Sequence, residues 1–114
     1  MTIISFQITT YRVLLGSKIG IGFPSLNYCY ALITCTGAAG EQLLLAFGDV
    51  PVQGQSNFSN LGQKRGGVAV SMSQFGSYLD ILRNEKPVYG QICDTNPDTL
   101  NLVKTTEEPV GEGE

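Results

Sequence analysis

The sequence predicts an α+β fold in which one helix lies against a strongly twisted, mostly antiparallel sheet of five or six strands. Three observations predict it. Apolar and polar residues alternate in several short stretches, as they do on strands with one buried face. Only Ser73 to Asn84 carries apolar residues at helical spacing. Glycine-rich breaks separate the stretches at hairpin-like intervals. The chain has 114 residues, 42% hydrophobic and 15% charged, which suits one compact core. The expected order is ββββαββ over a single domain, residues 1–106, followed by an acidic, flexible tail at 107–114.

The first strand is expected from Ile3 to Leu15, where Ile4, Phe6 and Ile8 alternate with Ser5, Gln7 and Thr9. It should end at Gly16-Ser17-Lys18, because Gly20, Gly22 and Pro24 discourage regular structure just behind it. Tyr28 to Thr36 is the second strand, with Tyr28, Tyr30 and Leu32 on one face and Cys29, Ala31, Ile33 and Cys35 on the other. Gly37 to Gly40 is a hairpin turn, and Glu41 to Phe47 a third strand whose Leu43-Leu44-Leu45 places it near the sheet centre. Residues 48–67 form the longest irregular stretch, and connections of that length are often functional. A short fourth strand follows from Gly67 to Met72.

The helix from Ser73 to Asn84 presents Phe75, Tyr78, Leu79 and Leu82 as one apolar stripe. Ser73 suits the amino cap, Arg83 the negative end of the dipole, and Asn84 a left-handed closing conformation before Pro87. Val88 to Cys93 and Thr99 to Thr105 should then close a hairpin around residues 94–98.

The absence of histidine excludes a Ser-His-Asp triad, a Cys-His dyad, His-containing zinc sites and the His-carboxylate iron triad. An enzyme would have to work with carboxylates, Lys, Tyr or Cys, with Cys93 or a carboxylate as the candidate, and the chain is expected not to be one. Three cysteines, Cys29, Cys35 and Cys93, cannot supply four zinc thiolates, and they lack C-x-x-C spacing. On one strand Cys29 and Cys35 stand about 20 Å apart, too far for a disulfide. The start at Met1 lacks the order of a signal peptide, and no apolar run reaches the ~18 residues of a membrane helix. A cytoplasmic protein with reduced, buried cysteines is therefore expected, with no membrane, metal or cofactor.

The net charge is −3, but residues 107–114 hold four of the ten acids and no base. The remaining six acids face seven bases, so the body is near neutral and lacks the strong basic footprint common in nucleic-acid binders. Gly20-Ile21-Gly22 lacks the third glycine and following helix of a dinucleotide fingerprint, and reads as a turn. Residues 48–56 depart from a phosphate loop in spacing and carry Gln where the Lys belongs. Asp94 and Asp98 serve turn geometry and lack the remaining features of a calcium loop.

Two features carry a candidate anion or nucleic-acid contact. Lys64 and Arg65, between Gly62 and Gly66-Gly67, are the only adjacent basic pair, in a loop that could offer backbone N–H groups and two cations to an anion. Tyr28 and Tyr30 share a strand face, with Phe6 or Tyr11 as possible neighbours, and exposed sheet aromatics stack unpaired bases.

Leu82-Arg83-Asn84-Glu85-Lys86-Pro87-Val88-Tyr89 and the ending Glu108-Pro109-Val110-Gly111-Glu112 resemble a group of short, uncharacterised bacterial proteins that share the pattern LRNEKPVY…EPVGE. The resemblance covers about residues 70–114 and implies a bacterial, cytosolic origin without any ligand or activity. In element order alone the chain is similar to the Whirly-like single-strand binders, an analogy that does not fix function.

One short helix cannot cover such a sheet. Its other face must curl into a half-barrel, stay polar or meet a second subunit, which makes a homodimer attractive. The expectation is a non-catalytic interaction or structural module acting through a sheet face or the 48–67 loop. The alternative is a weak single-stranded nucleic-acid binder using Tyr28, Tyr30, Lys64 and Arg65.

Overall fold

A computed structural model describes residues 2–23, 26–49, 57–95 and 101–105. The strands are β1 (Ile3–Phe23), β2 (Leu26–Gly37), β3 (Gln42–Gly48), β4 (Phe58–Asn60), β5 (Arg65–Ser71), β6 (Val88–Cys93) and β7 (Leu102–Thr105), with helix α1 (Phe75–Asn84) between β5 and β6. They form one seven-stranded sheet in the order β4-β5-β3-β2-β1-β6-β7. Every ladder is antiparallel except β3–β5, which is parallel. The α+β class and the mostly antiparallel sheet agree with expectation. The strand count and the chain order do not: five strands precede the helix.

The extra strand is β4, three residues within the stretch expected to be irregular. It pairs with β5, and its length is too short for any alternation to show. The parallel pair follows from this stretch, since parallel neighbours need a long crossover. The acidic tail, the 94–98 turn beyond Thr95 and residues 50–56 of the long stretch lie outside the described residues.

Strand β1 does not stop at Gly16. Between Leu15 and Ile19 it gains two residues over its partner Ala31–Cys29, and further irregularities lie between Ile8 and Thr10 and between Gly20 and Phe23. The glycines that suggested an ending instead permit bulges: Gly22 takes φ +67°, and a bulge bends a strand without ending its pairing. The β2–β3 turn is as expected. Gly40 adopts φ +85°, Gly37 N–H donates to the Glu41 carbonyl at 2.9 Å, and the Ala39 N–H donates to the Glu41 carboxylate at 3.0 Å.

Helix α1 begins two residues later than expected. A 3₁₀ turn at Met72–Gln74 precedes it and is capped by Ser71, whose hydroxyl accepts from the Ser73 N–H at 3.4 Å; α1 itself starts after Gln74 with no side-chain cap, so Ser73 does not cap it as expected. Asn84 remains helical, and the extended Glu85 ends the helix with its N–H on the Ile81 carbonyl at 3.0 Å. Tyr78, Ile81 and Leu82 face the core together with Phe75, so Ile81 takes the place expected of Leu79.

The helix covers one face of the sheet, here the inner face. There Ala31, Ile33, Cys35, Leu43, Leu45 and Phe47 are buried completely, and Phe47 meets Phe75 and Tyr78 edge to face at 5.2 and 5.6 Å. The ladder does not close into a barrel, but its curl brings β5 towards β6: a methyl group at Gly66 would lie 2.9 Å from Ile92. Asn101, just before β7, spans that gap. Its amide donates to the carbonyls of Phe58 and Gly67 at 2.8 and 3.3 Å, and its oxygen accepts from Cys93 N–H at 2.8 Å and the Ser59 hydroxyl at 3.1 Å. A buried amide with four partners meets its full hydrogen-bonding requirement. No described helix is long and apolar enough to cross a membrane.

Candidate functional site

The outer face, opposite the helix, holds the two candidate tyrosines. Alternation along β2 places Ala31, Ile33 and Cys35 inward, so Tyr28 and Tyr30 point outward, 51% and 41% exposed. Directly paired residues share a face. Leu14 pairs with Leu32 and Arg12 with Thr34, so both join the tyrosines. Lys18, in the bulge of β1, lies with its ammonium 4.4 Å from the centre of the Tyr28 ring. The Tyr30 hydroxyl donates to Asp49 at 2.8 Å, and this carboxylate acceptor pushes the hydroxyl pKa above its ordinary value.

The other expected aromatics are elsewhere. Phe6 is buried on the inner face, where its ring fills the space over Gly90 and Gly37. Tyr11 pairs with Cys35 and so faces away from Tyr28 and Tyr30. The bulge after Ile8 and the alternation together decide this, and neither can be counted from residue spacing alone.

Lys64 and Arg65 are not a free loop. Arg65 opens β5, pairing with Gln42 and Asn60. Lys64 sits in the left-handed region at φ 55°; its N–H donates to Leu61 and its carbonyl accepts from Gln42 at 2.9 Å. The backbone of this pair is thus committed to the fold, and the expected cradle of free N–H groups is absent at Lys64. What remains for an anion is charge. Arg65 is exposed and has no ion pair or side-chain hydrogen bond among the described residues. Register places it on the outer face with Gln42 and Leu44.

The near-neutral body conceals an uneven distribution. Arg12, Lys18 and Arg65 stand on the outer side, whereas Asp80 belongs to the helix, Glu85 to its exit, Glu41 to the β2–β3 turn and Asp94 to the end of β6. Asp49 is the acid beside the tyrosines, and it is engaged by Tyr30. Sequence reasoning missed Lys18, which the bulge of β1 brings over Tyr28, and Arg12, which register places on the same face farther along, opposite Thr34.

Between the bent end of β1 and the β4–β5 edge the outer face also contains a cavity of about 420 Å³, lined by Gly20, Ile21, Gly22, Leu32, Leu44, Phe58 and Arg65. Its floor, Leu32 and Leu44, belongs to a small buried cluster with Cys29, Ala46 and Ala69, against which Ile19, Ile21 and Phe58 pack, so Cys29 lies with Leu32 and not on the opposite face expected for it. Phe58, an isolated apolar point in the sequence, is therefore a wall of this cavity.

Cys29, Cys35 and Cys93 are buried and, among the described residues, not joined in a disulfide, and burial pushes the Cys35 thiol up to about 12. Such thiols are poor nucleophiles. Among the described residues no three His, Cys, Asp or Glu side chains converge as a metal site. Comparisons with protein-family models, with curated proteins and with solved structures find no match.

Proposed function

We propose that this chain is a non-catalytic interaction module working through its outer sheet face, and that the ligand there is single-stranded nucleic acid. The observation that carries this reading is the Lys18–Tyr28 pair on a face that also exposes Tyr30 and Arg12. An unpaired base offers a flat ring for stacking and a phosphate a few ångströms away, so rings and cations on one surface suit it. Helix α1 packs on the inner face against Phe47, and the outer face has no helix of its own. Among the described residues Asp49 is the one acid placed beside the tyrosines, and it is engaged by Tyr30, which leaves Lys18 as the charge next to the Tyr28 ring.

Fluorescence anisotropy of labelled oligothymidylate, read across a salt series, tests this directly. The expected result is saturable binding that weakens steeply with salt, and weakens further when Tyr28 and Tyr30 are both changed to Ala. Lys64→Glu with Arg65→Glu is expected to abolish binding; unchanged affinity in that double variant removes the basic pair from the site. Absence of binding by the wild type at low salt rejects the reading.

A second reading rests on a different observation. Tyr11, Leu14 and Leu15 expose apolar surface around β1, Leu15 to 68%. A protein surface, in particular a second copy of this chain, would cover them, giving a homodimer in the cytoplasm. Light scattering after size exclusion should then return a mass near twice 12.2 kDa, and Leu15→Glu should return 12.2 kDa.

A further inference from the structure

The cavity beside Tyr28 has a composition that the stacking surface does not explain. Its lining joins aliphatic and aromatic side chains, two glycine backbones and one cation: Ile21, Leu32, Leu44 and Phe58, then Gly20 and Gly22, then Arg65. About 420 Å³ falls within the range of small-ligand pockets, which are largely apolar with a few placed polar groups. The ligand such a lining fits has a compact, flat apolar body and one negative charge.

Position narrows the ligand further. Gly20 pairs with Tyr28 across the hairpin, and a Cβ on Gly20 would lie 3.9 Å from the Tyr28 ring. The cavity wall and the stacking ring are thus neighbours. Arg65, in the cavity wall, has no carboxylate to neutralise it among the described residues. The missing side chains of Gly20 and Gly22 leave backbone as the wall. Gly22 takes φ +67°, a conformation in which any side chain would be strained.

We propose that this cavity receives one nucleotide of the bound strand, its base between Phe58, Ile21 and the Leu32–Leu44 floor and its phosphate on Arg65. The proposal rests on the nucleic-acid reading of the outer face. It adds to that reading a fixed point on the strand: one base leaves the stack and is enclosed, while its neighbours stack on Tyr28 and Tyr30.

The test uses the full chain and two probes, labelled oligothymidylate of about 15 nucleotides and thymidine monophosphate alone. Leu44→Phe fills the cavity from its floor, and Arg65→Gln removes the cation while keeping a polar, exposed side chain. Each is expected to weaken oligonucleotide binding about 10-fold, with Arg65→Gln also lowering the salt slope by about one. Arg65→Gln keeps the test decisive if Leu44→Phe unfolds the protein. Thymidine monophosphate should shift the amide resonances of Gly20, Gly22, Gly66 and Gly67 in the wild type and not in Arg65→Gln. Wild-type affinity in both variants, with no shifts from the mononucleotide, overturns the cavity site; if Tyr28→Ala still weakens binding, the face reading survives. No oligonucleotide binding by the wild type rejects the face reading itself. Shifts produced by decanoate and not by the mononucleotide overturn the proposal in favour of an amphiphilic acid.

Discussion

The two faces of strand β2 differ by one residue of register and do different work. Ala31, Ile33 and Cys35 point inward, are wholly buried and meet the layer beneath α1. Tyr28 and Tyr30, on alternate positions of the same strand, remain exposed, the first beneath the Lys18 ammonium and the second bonded to Asp49. A core side chain stabilises in proportion to the apolar area it hides. An exposed ring hides little and so leaves its surface for a ligand. The comparison teaches that stability and recognition are separable here by face, and substitutions on the two faces should have nearly non-overlapping effects.

The largest effect is expected on the inner face. Phe47→Ala removes a fully buried ring held by two edge-to-face partners and should cost about 3–5 kcal/mol, read as a lower denaturation midpoint. If the midpoint moves by less than about 1 kcal/mol, the inner face is not the core described here. Next comes Asn101→Ala. It leaves the Cys93 N–H without its acceptor and the Phe58 and Gly67 carbonyls without their shared donor, for a loss of about 2–3 kcal/mol. Amide exchange should rise first in β4 and β7, the two edges that Asn101 ties together; protection unchanged there would show the bridge to be dispensable.

On the outer face the order of effects reverses. Tyr28→Ala should change folding stability by no more than about 0.5 kcal/mol. The same variant should weaken oligothymidylate binding by about 5-fold or more, from a stacking contribution of about 1–3 kcal/mol. A variant that loses stability and keeps binding would collapse the distinction between the faces. The smallest effect concerns Asp49. The carboxylate raises the Tyr30 pKa, so the hydroxyl stays protonated to higher pH than an ordinary tyrosine of about 10. Asp49→Asn should lower the pH at which this phenol ionises, seen in ultraviolet titration of the five tyrosines. An unmoved titration curve would mean that the hydrogen bond is not kept in solution.

Much of the fold was legible because it depends on local pattern. β6 runs from Val88 to Cys93 as expected, since its alternation is clear and Pro87 and Asp94 bound it. The helix ends at Asn84 as expected and starts two residues late, because its apolar stripe is strong while its first turn is taken up by the 3₁₀ turn Met72–Gln74 that Ser71 caps. Tyr28 and Tyr30 were assigned to one face correctly, as period two requires on an unbulged strand. The errors share another cause. Gly16 to Gly22 have the composition of a turn yet form bulges within β1, because β2 supplies a partner whose pairing outweighs local preference. Phe58 looked isolated until β5 drew it into a strand.

By itself, then, the sequence determined the alternating strands, the single amphipathic helix, the closure of histidine chemistry and the shared face of Tyr28 and Tyr30. Each of these is written in composition or in a repeat of a few residues. Only the tertiary structure decided the parallel β3–β5 pair, the Asn101 bridge, the inward burial of Phe6, the placing of Lys18 over Tyr28 and that of Arg65 in the cavity wall. Those depend on register between distant segments, and a single bulge transfers every later side chain to the opposite face.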